Sequence, residues 1–104
     1  MRALISMLIL TVSTATAWAD LDSLRSEAQI AAAAGEVDIA TSKLQQILEL
    51  TPDDGASHYQ IAVLLMDNNG DIFDTVQHFE RARDLKFQPL GVAYRLSRLY
   101  ARAG

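Results

Sequence analysis

The densest run of oxygen ligands in the chain is Asp67-Asn68-Asn69-Gly70-Asp71, where Asp67, Asn69 and Asp71 have the D-x-N-x-D spacing used by hard cations. A calcium loop of that kind continues with glycine at its sixth place and a bidentate glutamate at its twelfth. Those places hold Ile72 and His78, so the closing carboxylate is missing. The run reads instead as a turn between two helices, with Asp71 near the next N-terminus. His58 and His78 are the only histidines and there is no cysteine, whereas zinc takes three or four ligands. His58 is expected to pack inside a hairpin and His78 to lie at the surface; no metal and no cofactor is expected. Asp53-Asp54 reads as a helix start rather than as a carboxylate pair for acid–base work. No G-x-S-x-G, phosphate-binding glycine loop or Cys/His pair is present, and the chain is not expected to be an enzyme.

The elements that must carry these residues are set by a period. Gly35, Gly70 and Gly104 fall 35 and 34 residues apart, and each closes an apolar pattern of helical spacing. Ala40 and Thr75, Leu44 and Phe79, Ile47 and Ala82, and Leu50 and Leu85 match at equal distances behind the first two glycines. A period near 34 residues marks a helix–turn–helix solenoid.

Residues 1–19 stand apart. Arg2 precedes an apolar run from Ala3 to Val12, then small polar residues, then Ala17-Trp18-Ala19 as a small-x-small site. This is the pattern of a secretory signal peptide cleaved after Ala19. An uncleaved anchor is the alternative, although the run is shorter than a roughly 20-residue membrane span. No membrane span is expected in the mature chain, residues 20–104, and a periplasmic or secreted location follows. With no cysteine there is no disulfide framework. Removing Arg2 takes the net charge from −4 to −5. That balance, without a basic cluster large enough to track phosphates, argues against nucleic acid. Charge is uneven: eight acidic and two basic residues lie between Asp20 and Asp54, while Lys86, Arg95, Arg98 and Arg102 have no acidic neighbour after Leu85.

Five helices are expected. The first, Leu21 to Ala34, presents Leu24, Ala28, Ala31 and Ala32 and ends on Gly35 as a left-handed cap. The second, about Asp38 to Leu50, carries Ala40, Leu44, Ile47 and Leu48 and stops before Pro52. The third, about Ala56 to Asn68, has the wide apolar face of a central helix: Ile61, Ala62, Leu64, Leu65 and Met66. The fourth, about Ile72 to Lys86, points Val76, Phe79, Ala82 and Leu85 inward; the fifth, about Leu90 to Ala103, carries Ala93, Leu96, Leu99 and Tyr100. The fold class is all-α, an antiparallel stack of helix hairpins.

This layout resembles the tetratricopeptide repeat, whose pattern joins a Trp-x2-Leu-Gly-x2-Tyr first helix to Ala-x3-Phe in the second and then a proline. The first repeat, about residues 21–54, places Leu24, Glu27, Ala28 and Ala31 on its first helix, then Ala40, Leu44, Ile47 and Pro52. The second, about 55–89, places His58, Ile61, Ala62 and Leu65, then Thr75, Phe79 and Ala82, with Pro89 displaced and one residue inserted near the Asn-Asn-Gly turn. A half repeat, 90–104, places Ala93, Leu96, Ser97 and Tyr100. No tryptophan stands in the expected place, and Glu27 replaces an apolar residue. Ala28, Ala62 and Ser97 recur where the helices of a hairpin are expected to touch most closely.

The resemblance implies a protein or peptide partner held in the concave groove lined by the first helix of each hairpin. Carried onto this sequence, the groove candidates are Arg25, Gln29, Tyr59, Val63, Met66, Tyr94, Arg98 and Arg102. Tyr and Met give adaptable contact area, and arginine binds carboxylate in bidentate fashion. An acidic peptide or a C-terminal carboxylate is the ligand this favours; a solvated arginine face is the alternative. A second surface is expected on the fifth helix, where Ala93, Leu96 and Tyr100 would form an uncovered end face. It would serve self-association or one larger partner, as in a small helical chaperone or regulatory subunit, unless the chain is the start of a longer protein.

Overall fold

The computed structural model describes residues 20–103, so residues 1–19, expected to be a signal peptide, and Gly104 lie outside the described residues. Five helices follow in order: α1 (20–33), α2 (Val37–Leu50), α3 (Gly55–Asp67), α4 (Ile72–Asp84) and α5 (Pro89–Ala103). Among the described residues there is no strand. Consecutive helices pack on one another, α2 on α3, α3 on α4 and α4 on α5, as two and a half hairpins.

Each helix other than α3 buries one stripe. Leu21, Leu24, Ala28 and Ala31 are buried on α1, Ala40, Leu44 and Ile47 on α2, and Thr75, Phe79 and Ala82 on α4. The stripes meet in two cores. In the first, Leu21, Leu24 and Ala28 close on Leu44, Ile47 and Ile61, flanked by Leu48, Leu64 and Leu65. In the second, Ala62 meets Phe79, Ala82, Val92, Leu96 and Leu99, flanked by Tyr59, Val63, Met66, Val76 and Phe87. Helix α3 is the shared wall: Ile61 faces one core and its neighbour Ala62 the other. Burying a side chain such as Phe79 is worth about 1.5–3 kcal/mol against leaving it exposed.

Three helices end in one motif. After α1, the Glu36 N–H donates to the Ala31 carbonyl and the Gly35 N–H to that of Ala32, with Gly35 at φ 77°. This pair of hydrogen bonds is the Schellman closure, which needs a left-handed residue. After α3, the Gly70 N–H donates to the Leu65 carbonyl at 2.7 Å, but the left-handed residue is Asn69, φ 56°. Gly70 is favoured for another reason: a Cβ there would crowd Leu65, 3.0 Å from its Cβ and 3.1 Å from its Cα. After α4, Phe87 and Lys86 donate to Ala82 and Arg83, and Lys86 takes the left-handed place at φ 62°. The structural counterpart of Gly35 is therefore Asn69, 34 residues on, and Gly70 is the added residue.

The starts differ too. Asp71 caps α4 by accepting from the Asp74 N–H at 3.0 Å, and Pro89 opens α5 where a missing N–H costs nothing. Asp54 sits at the cap position of α3 without capping it. Its carboxylate accepts instead from the Ser57 hydroxyl at 2.7 Å and pairs with Arg25 at 3.0 Å.

Candidate functional site

Helices α1, α3 and α5, the first helices of successive hairpins, carry all but one of the residues that line two neighbouring cavities; the exception is Leu44 of α2. Between α1 and α3 lies a cavity of about 300 Å³ lined by Ala28, Gln29, Ala32, Leu44, Tyr59, Gln60, Val63 and Leu64. Five of these are aliphatic and none is charged, so an apolar side chain is the group that would gain by entering. Between α3 and α5 lies a cavity of about 500 Å³ lined by Tyr59, Met66, Gly91, Tyr94, Arg95, Arg98, Leu99 and Arg102. Tyr59 belongs to both, at the ridge between them.

Tyr59 is held from behind. Its ring meets Phe79 edge-on with centroids 5.8 Å apart and Phe87 at 5.3 Å. Its other side carries the Arg95 guanidinium, 5.8 Å from the ring centre. Arg95 Nη1 also lies 4.0 Å from Met66 Sδ, a weak contact. One helical turn on, the Arg98 guanidinium stands 5.9 Å from the centre of the Tyr94 ring. Stacking of this kind orients a guanidinium and leaves its N–H edges for other acceptors. Among the described residues, Arg95, Arg98 and Arg102 form no ion pair, whereas Arg25, Lys43 and Arg83 do. The wall of the larger cavity is thus cationic and unneutralised.

Of the groove candidates, Gln29 and Val63 lie in the apolar cavity, Met66, Tyr94, Arg98 and Arg102 in the cationic one, and Tyr59 in both. Arg25 lines neither, because its guanidinium is drawn to Asp54. Arg95 was not among the candidates. Its signal was the spacing 91, 95, 98, 102, which follows one face of a helix.

The end-face expectation fails at its centre. Leu96 is only 1% exposed and packs in the second core, with Val92 rather than Ala93 as its buried neighbour on α5. Tyr100 is exposed, but its hydroxyl donates to Glu80 Oε2 at 2.6 Å; that hydrogen bond raises its pKa above the ordinary tyrosine value. Ala93 and Ser97 are exposed, the Ser97 hydroxyl donating to the Tyr94 carbonyl. A helix with its stripe on Val92, Leu96 and Leu99 cannot also offer Leu96 outward.

The histidines lie elsewhere, between α3 and α4. His78 is half-buried rather than at the surface, and its Nδ1 stands 3.1 Å from that of His58. His58 Nε2 is 3.1 Å from the Pro52 carbonyl, which can only accept. The Nε2 of His58 therefore donates to that carbonyl, and one of the two Nδ1 atoms donates to the other. Burial, then the charge of His58, pushes the His78 pKa down, with Asp74 opposing. Among the described residues no group of three or more His, Cys, Asp or Glu converges as a metal site would. No described helix is long and apolar enough to cross a membrane.

The chain matches no protein-family model and no curated protein. The tetratricopeptide resemblance rests on the residues that carry it.

Proposed function

We propose that the chain is an exported, tetratricopeptide-like scaffold of the cell envelope that binds a peptide or partner protein in the groove along α1, α3 and α5. The reading is of a binding module without chemistry of its own. What carries it is the wall formed by Arg95, Arg98 and Arg102, three cations lining a cavity with no carboxylate paired to them among the described residues. A concave site that joins apolar surface, tyrosines and unpaired guanidiniums suits an acidic peptide or a free carboxylate. The export part of the reading rests on the signal pattern of residues 1–19.

A peptide array spanning charge tests this directly. Acidic or free-carboxylate peptides are expected to bind in preference to neutral and basic ones. The charge reversal Arg98→Glu is expected to weaken binding about tenfold, because an exposed ion pair is exchanged for a repulsion. Indifference to peptide charge, or no change on reversal, removes the proposal.

A further inference from the structure

We infer that the groove reads a spacing: it takes an extended acidic segment in which an apolar side chain lies about three residues from a pair of consecutive acidic residues. The inference rests on the peptide-binding reading above and specifies its ligand.

The groove holds two cavities. They differ in chemistry, one lined mainly by aliphatic groups, the other by three guanidiniums, yet they adjoin across Tyr59. A ligand that fills only one leaves the other's surface in water. The two cavities share Tyr59 as a wall, so their centres lie on either side of one helix, about one helix width of 8–10 Å apart. An extended chain advances about 3.3 Å per residue, and three residues cover the step.

The arginine row selects two carboxylates rather than one. Arg95, Arg98 and Arg102 are spread along α5 by seven residues, about 10 Å of helix axis at 1.5 Å per residue. One carboxylate cannot reach both ends of that row. Consecutive residues of an extended chain point to opposite sides, so adjacent acidic side chains diverge across the groove as the arginines do. The charge of the rest of the molecule sets which cavity takes which group. On the α1 side Arg25 is already paired with Asp54 and Lys43 with Glu27, and Asp20 and Glu49 line a crevice against α2. Carboxylates are repelled from that side, and the apolar residue belongs there.

Fluorescence anisotropy with short labelled peptides, C-terminally amidated, tests the rule on the purified protein. A leucine and a Glu-Glu pair are set about one, three or five residues apart, in both chain orders. Tightest binding is expected at three in one of the two orders, with a loss of about tenfold on shifting the spacing by two residues or on replacing the leucine by alanine. Arg95→Gln is expected to weaken the Glu-Glu peptide about fivefold and to leave its Gln-Gln counterpart unchanged. Val63→Ser is expected to reduce the leucine preference while leaving the Glu-Glu preference intact; circular dichroism confirms that both variants fold.

Equal affinity at all spacings overturns the spacing rule but leaves charge-dependent peptide binding in place. Binding that demands a free C-terminus shows that a terminal carboxylate, not an acidic pair, occupies the cationic cavity, and this also overturns it. Binding to no peptide of any charge removes the underlying reading as well.

Discussion

The His58–His78 contact joins α3 to α4 through two groups that can each take a proton. One hydrogen bond between the Nδ1 atoms is satisfied while at most one ring is charged. A second proton sets two N–H groups against each other in a half-buried place. His78 accordingly holds its pKa below the ordinary value of 6.5, with burial as the larger cause. In the unfolded chain His78 regains that ordinary value, so below about pH 6.5 the unfolded state binds more protons than the folded one. Stability is complete above that pH and falls as the solution is acidified through it. Denaturant titrations at pH 7.5 and pH 5.5 are expected to show this loss in the wild type and a smaller one in His78→Gln. Equal losses would show that other groups dominate. Neither the pairing nor the burial of His78 was legible in the sequence. The residues are 20 positions apart, and only the register of α4 against α3 brings their rings together.

At the level of the helices, the ends say more than the middles. The apolar stripes of α1 to α3 were largely legible because a period of 3.6 survives any docking angle, while on α4 Thr75 is buried where Val76 was expected. The helix ends were legible where glycine or proline marked them, as at Gly35 and before Pro52. Gly35 was found for that reason, whereas Asn69 and Lys86 adopt the same left-handed backbone without the residue that announces it. Asparagine tolerates this conformation through its short polar side chain; lysine does not, and a non-glycine residue there costs roughly 1–2 kcal/mol. Lys86→Gly is therefore expected to raise stability by up to about 1 kcal/mol, the backbone entropy of glycine offsetting part of the relief. Its urea midpoint should rise while the slope stays constant; a fall would mean that the lysine stem contributes packing that outweighs the strain. On α5 the stripe was misplaced by one residue, Ala93 for Val92. A small residue and a branched one next to each other fit the period about equally well, and contact with Ala62 and Phe79 settles the choice.

Across the whole molecule, charge is sorted by position. The crevice between α1 and α2 is lined by Asp20, Glu27 and Glu49, while α5 carries only arginines among its charged residues. Such a separation draws an acidic ligand toward one end from a distance and fades within about 10 Å at 0.1 M salt. Association of an acidic peptide is expected to slow as salt rises from about 0.05 to 0.5 M, with a smaller change in dissociation rate. Stopped-flow kinetics at several salt concentrations check this, and an on-rate independent of salt would show that the groove field plays no part. The asymmetry itself could be counted in the sequence, and so could the all-α architecture. The division of the groove into an apolar and a cationic cavity could not. It depends on Tyr59 standing between them, braced by Phe79 and Phe87 from elements that no local pattern connects to it.

Ile61 and Ala62 are adjacent in the chain yet belong to opposite cores. A larger residue at one of them can be accommodated by moving α3, but the same movement opens space at the other. For a sequence drifting by single substitutions, the α1–α2 and α4–α5 halves are not free to wander separately, although their core side chains fall in different clusters. Accommodation between the two cores passes through α3, so Ile61 and Ala62 constrain each other although they face different clusters.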